Sequence, residues 1–149
     1  MVYLQNHDQV GNRAQGDRFH QQASPDLQAA AAPLYLLSAF TPMLFMGEEW
    51  ATTSPFPFFS DHAGDLGQAV SEGRRREFAA MAWQGEVPDP QSPQTRTRAV
   101  LDWQHRDQPE HARMFEWYRT LIALRRSEPG VMDAALGSVE VQIVDVDTV

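Results

Sequence analysis

The scarcity of strand-forming sequence is the strongest constraint on this chain. Two short β-prone segments, Val2–Leu4 and Thr41–Met46, stand on either side of a helical stretch, and strand patterning returns only at Val139. Val2, Tyr3 and Leu4 run into a polar, turn-forming cluster from Gln5 to Asp17. Ser24 ahead of Pro25 and Asp26 has the form of a helix start, with serine as N-cap and proline where a missing N–H costs nothing. Leu27, Ala30, Ala31, Leu34 and Leu37 then recur at the three-and-four spacing of one buried face, and Pro33 is expected to bend the helix. Thr41 to Met46, closed by Gly47, reads as a fully buried strand. The order strand, helix, strand is a βαβ unit, and such a crossover makes its strands parallel. A two-stranded parallel sheet is not stable alone, so the segment reads as part of a larger sheet.

The remainder supplies helices rather than strands. From Glu48 to Pro109 the chain is mostly irregular, with a helix expected over Glu72–Trp83. Asp107 and Glu110 have the spacing of a capping box. Met114, Phe115, Tyr118, Leu121 and Ile122 follow at helical spacing until Arg125, Arg126, Pro129 and Gly130 close the element. Val139 to Val149 alternates like a strand and has no hairpin partner. A length of 149 residues would accommodate one domain. The element order instead supplies the tail of one domain and the first strand of another, and it is the stronger guide.

Composition narrows the chemistry. A net charge of −8, from 12 basic and 20 acidic residues, argues against nucleic acid and anionic membrane surfaces as partners. Every basic residue is arginine, so the chain offers no Schiff-base or Walker-type lysine. The absence of cysteine removes disulfides, thiolate nucleophiles and cysteine zinc sites, and a cytoplasmic location is expected. The apolar run from Leu34 to Met46 is interrupted and too short for a membrane span. The histidines at 7, 20, 62, 105 and 111 lack the spacing of a helical zinc pair, so neither metal nor other cofactor is expected.

The most informative segment is Leu4-Gln5-Asn6-His7-Asp8-Gln9-Val10-Gly11-Asn12-Arg13, where an amide, an imidazole and a carboxylate stand together as a strand stops. In a barrel of parallel strands, that end of the strand presents catalytic groups. Successive side chains diverge on a strand, so a backbone turn is needed to bring the three together. Equally, Asn6 and Asp8 read as turn formers, with His7 structural.

The segment Tyr3 to Ala14, followed by Gly16-Asp17-Arg18 and then by Thr41-Pro42-Met43-Leu44-Phe45-Met46-Gly47-Glu48-Glu49-Trp50, resembles the α-amylase family of glycoside hydrolases. The continuation Gln9-Val10-Gly11-Asn12-Arg13 resembles the branch of that family acting on maltooligosyltrehalose. The resemblance implies the C-terminal part of a TIM (β/α)8 barrel over 1–130, with Val2–Leu4 as seventh strand, Met43–Met46 as eighth and Leu121–Arg126 in the last barrel helix. A small all-β domain would begin over 131–149. It further implies hydrolysis of the α-1,4 bond beside the terminal trehalose of maltooligosyltrehalose. Asp8 would be the transition-state stabiliser, and Asn6, His7, Gln9 and Arg13 would bind substrate. Hydrogen bonds to the sugar 2-OH that strengthen in an oxocarbenium-like transition state are worth several kcal/mol.

A retaining glycosidase also needs a nucleophile and an acid about 5–5.5 Å apart. The resemblance puts both upstream of Met1, leaving the isolated chain inactive. Glu48 and Glu49 are adjacent, diverge in direction, and suit cleft lining or a structural contact better than replacement. Arg13 and Arg18 suit substrate hydroxyls and loop ion pairs with Asp8 or Asp17 equally. Trp50, Phe56, Phe58 and Phe59 offer sugar platforms, although core packing is the commoner use of such rings. Arg74-Arg75-Arg76 reads as a solvated helix face beside Glu72 and Glu77. A non-catalytic sugar-binding remnant and a fragment of a related branching enzyme remain the competing readings. Because both strands lack neighbours, the isolated chain is expected to fold poorly; a cooperative thermal transition with protected amides over Met43–Met46 overturns this.

Overall fold

The computed structural model describes residues 1–132, 137, 139–142 and 144. Its elements are α1 (His7–Gly11), α2 (Phe19–Gln22), α3 (Pro25–Leu36), a 3-10 turn over Glu48–Trp50, α4 (Gly64–Ala80), α5 (Pro93–Arg98), a second 3-10 turn over His105–Asp107, α6 (Pro109–Ser127) and α7 (Pro129–Met132). Among the described residues there is no strand, only one isolated parallel bridge, Val2 to Pro42. Val2 N–H donates to the Thr41 carbonyl at 3.0 Å, and Met43 N–H to the Val2 carbonyl at 2.9 Å. The parallel crossover around α3 is therefore present, while the strands expected at Val2–Leu4 and Thr41–Met46 shrink to this bridge. A ladder needs successive paired residues, and among the described residues these segments pair only at this bridge. Leu44, Phe45 and Met46 still alternate exposed, buried, exposed, as a strand would.

Ser24 caps α3 as expected, its hydroxyl accepting from Leu27 N–H at 3.0 Å, with Pro25 in the first turn. The buried face differs from the expected one. Gln28, Ala32, Tyr35 and Leu36 point inward, whereas Leu27 and Leu34 are 52% and 79% exposed. Polar groups at Gln28 and Tyr35 find buried partners, and this orients the helix against its leucine pattern. Pro33 lies inside α3, where its missing N–H leaves the Ala29 carbonyl without its helical donor. Trp117 Nε1 of α6 donates to that carbonyl at 2.8 Å.

α6 buries His111, Met114, Tyr118 and Leu121. The Asp107–Glu110 capping box does not form: Gln108 is the N-cap without a side-chain bond, and Pro109 removes one N–H that would have required a cap. Arg125 near the end of α6 donates to the carbonyls of Leu36 and Ser38 at 2.7 and 2.6 Å, fixing the link between α3 and the bridge. The central core joins Ala32, Tyr35 and Leu36 to Met114, Tyr118 and Leu121, with Ala51 from the intervening turn. The helix expected over Glu72–Trp83 begins earlier, at Gly64, and ends at Ala80. Of the strand expected over Val139–Val149, Val139–Gln142 and Val144 carry no regular structure, and the rest lies outside the described residues.

Replacing Trp117 with Phe keeps a ring at the α3–α6 contact and removes the donor. In the complete protein we expect it to lower unfolding stability by about 1 kcal/mol, seen as a denaturant midpoint shift at unchanged m-value.

Candidate active site

The polar cluster after Leu4 is not an open loop but a capped helical turn, and this is what gathers the motif. Asn6 holds extended backbone, and its side-chain oxygen accepts from Gln9 N–H at 2.8 Å. Gly11 and Val10 are buried, while His7, Asp8 and Gln9 face outward. His7 Nε2 lies 3.2 Å from Asp8 Oδ1, with the two side chains 71% and 73% exposed. Asn6 thus does cap a turn, and the imidazole and carboxylate are left available to a ligand. Arg13 instead pairs with Asp17 at 2.6 Å, and Gln22 also donates to Asp17. Arg13 thus forms the loop ion pair with Asp17 while its side chain stays 43% exposed.

Arg18 does something the sequence did not suggest. Fully buried, it donates through Nε to the Ser54 carbonyl at 3.0 Å and through Nη1 to the Met46 carbonyl at 2.8 Å. Its guanidinium lies over the Phe45 ring, 4.9 Å from the centroid. Burial lowers its pKa to about 10, opposed by the charges of Glu48 and Glu49. The same arginine donates its own backbone N–H to Gln21 Oε1, 2.7 Å away. The motif segment is in this way clamped to the loop that follows the bridge. Gly16 makes a second clamp: its carbonyl accepts from Phe56 N–H at 2.7 Å. A Cβ at Gly16 would collide with the backbone of Phe56 and Pro57, and φ is +67°, so only glycine fits.

Glu48 is not a substitute catalytic acid. It is 1% exposed, and Oε1 accepts from Tyr35 Oη at 2.6 Å and Tyr118 Oη at 3.1 Å. Gln28 completes the network, donating to the Glu48 carbonyl at 2.7 Å and to Tyr118 Oη at 3.1 Å. Burial raises the Glu48 pKa, opposed by hydrogen bonds from Tyr35, Gln5 and Tyr118. Glu49 is also raised by burial, with Arg18 pulling the other way. Trp50 is 1% exposed and serves the core instead of stacking on a sugar. His111 Nδ1 meets its carbonyl at 2.8 Å. His20 is buried and held neutral, its pKa lowered to about 4 by burial and then by Arg18. Among the described residues no cluster of three or more His, Cys, Asp or Glu could hold a metal ion.

The expected solvated face holds for Arg75 and Arg76 and needs correction at Arg74. Arg74 is 8% exposed and reaches the motif turn, with Nη2 donating to the carbonyls of Gly11 at 2.6 Å and Arg13 at 3.1 Å. Its spacing four residues before Phe78, on the buried side of α4, is the sequence signal that marks it out.

The chain is similar to part of several known proteins. The chain is 50% identical over 147 residues to the malto-oligosyltrehalose trehalohydrolase of Brevibacterium helvolum, covering 97% of this chain and 25% of that protein. The kinship is to one quarter of a trehalohydrolase. The Deinococcus radiodurans trehalohydrolase is 52% identical over 128 residues, covering 85% of this chain and 21% of its own length. The Saccharolobus solfataricus trehalohydrolase is 42% identical over 127 residues, with the same coverages of 85% and 21%. The crystal structure of a Salmonella typhimurium protein assigned as an alpha amylase superposes with a TM-score of 0.79 at 44% identity, over 85% of this chain and 21% of that one. No family model matches. The likeness to the Brevibacterium helvolum protein spans nearly the whole chain, and the matched portion shares its fold with the Salmonella typhimurium structure. No helix among the described residues is long and apolar enough to cross a membrane.

Glu48 gives a pH prediction with a definite sign. A carboxyl held above its ordinary value of 4.5 is favoured by folding in its protonated form. Its contribution is therefore complete below pH 4.5 and is lost as pH rises through the elevated folded value. Glu48→Gln is expected to flatten that decline and to match or exceed the parent's stability at neutral pH. Glu48→Ala should cost about 2–4 kcal/mol, because both phenols lose their shared buried acceptor. Chemical unfolding of the complete protein across pH 4–8 reads both variants.

Proposed function

We propose that this chain is part of a glycoside hydrolase that cleaves the α-1,4-glucosidic bond beside the terminal trehalose of maltooligosyltrehalose and releases trehalose. The observation that carries the reading is the exposed His7–Asp8 pair on a capped turn, within a segment about half identical to trehalohydrolases over nearly its whole length. Because the chain spans about a quarter of those relatives, the activity belongs to the larger protein.

In this reading residues 1–130 are the last part of a TIM barrel, with Val2–Leu4 as its seventh strand and Met43–Met46 as its eighth, and 131–149 open a small β-domain. The Val2–Pro42 parallel bridge supports the strand pairing. The turn at Asn6 supports the placement of the site, since barrel enzymes present catalytic groups where strands end.

Asp8 is the transition-state stabiliser. Its exposed carboxylate accepts from the sugar 2-hydroxyl, and that bond tightens as positive charge develops at the neighbouring anomeric carbon. His7 donates to a second hydroxyl, and Asn6, Gln9 and Arg13 supply the rest of the polar rim. The nucleophile and general acid come from the portion of the protein beyond this chain. The substrate is a neutral oligosaccharide, in keeping with the chain's net charge of −8, and the enzyme acts in the cytoplasm.

Asp8→Asn in the complete protein keeps the side-chain shape and loses the charge. It is expected to lower kcat for trehalose release by about 10²-fold or more, since the lost contact is made chiefly in the transition state. Turnover within a few-fold of the parent would contradict the assignment. Transfer products in place of free trehalose would point to branching chemistry.

A further inference from the structure

Resting on that reading, we infer that Arg74 is a positioning residue for the reaction, acting on Asp8 through the turn that carries it. α1 has only five residues, far too few to be stable unaided, so its direction depends on what holds its two ends. The N-terminal end is held from within by Asn6, through Gln9 N–H. The C-terminal end is held from outside. There the carbonyls of Gly11 and Arg13, 63 and 61 residues distant in sequence, both accept from Nη2 of Arg74.

Three features fit Arg74 for this task. Its side chain is 7% exposed, so solvent does not compete for its donors. Its guanidinium is packed between aromatic rings, 4.5 Å from the Phe78 centroid and 5.6 Å from that of Phe58. Its remaining edge bonds Glu77 Oε2 at 3.2 Å, which sets the rotation of the fork. A cation against the free carbonyls of a helix C-terminus is also favoured by the direction of the peptide dipoles. Asp8 lies three residues before Gly11, within the same turn, and its own carbonyl accepts from Asn12 N–H at 2.9 Å. The carboxylate's origin is therefore set at one end by an asparagine of its own segment and at the other by an arginine of α4. Lysine cannot fully replace this, because a single ammonium lacks the planar fork that reaches a carbonyl pair and a carboxylate together.

The experiment compares Arg74→Gln, Arg74→Lys and Arg125→Gln in the complete protein, with kcat, KM for maltooligosyltrehalose and thermal midpoint measured for each. Arg125 supplies a matched control: it also donates to backbone carbonyls, those of Leu36, Ser38 and Phe40, but these lie outside the motif turn. Arg74→Gln is expected to lower kcat by about 10²-fold with KM within about threefold, and Arg74→Lys to recover part of that loss. Amide exchange at Val10 and Asn12 should quicken in Arg74→Gln. Arg125→Gln is expected to lower the thermal midpoint with kcat unchanged. The inference is overturned if Arg74→Gln leaves kcat unchanged, or if kcat tracks the thermal midpoint equally in Arg74→Gln and Arg125→Gln. A parent protein that releases no trehalose overturns the functional reading first and this inference with it, so the two failures are told apart.

Discussion

Glu48 sits where α3, α6 and the turn after the bridge converge, and its Oε1 atom serves a tyrosine from each helix. Removing a charge from water costs several kcal/mol unless it is neutralised or well paired. Burial favours the neutral acid, and its Oε1 accepts from Tyr35 and Tyr118 while Gln28 holds the Glu48 carbonyl and the Tyr118 hydroxyl, each from a fixed direction. The demand for partners therefore selects one arrangement of the helices, whereas leucines at the same places would accept several. The rest of the structure is built around this one buried carboxylate.

The same demand explains which parts of the fold the sequence announced. Ser24-Pro25 and the apolar spacing of α6 act locally, and both appear in the structure where their residues put them. The inward face of α3 departs from its leucine spacing because hydrophobic spacing cannot register that Gln28 and Tyr35 have partners 90 and 13 residues away. Leu27 and Leu34 lost the core to a polar pair. The strands contracted for a similar reason, since a ladder is a property of neighbours and the described residues hold only one pairing.

At the site, Asn6-His7-Asp8 was legible as a group because a turn was the one local solution that brings these side chains together. The residues that hold the turn were not. Arg18 and Arg74 are charged, and charge ordinarily marks a surface; here each directs its donors to backbone carbonyls from distant loops. An arginine acts on carbonyls that any residue could supply, so nothing in the partner sequence betrays the contact. The three-arginine run concealed the buried member among its neighbours, and only its place on the Phe78 side of α4 distinguished it.

Pro33 has a consequence that reaches past the helix in which it sits. A helix normally offers a neighbour an unbroken surface along which it can slide by one residue, about 1.5 Å, and find an equivalent seat. By freeing the Ala29 carbonyl alone, the proline marks a single point on α3 that the Trp117 indole can recognise. The imperfection works as an index mark: it gives two otherwise repetitive cylinders a unique alignment, and the loops suspended between them inherit their relative height from it.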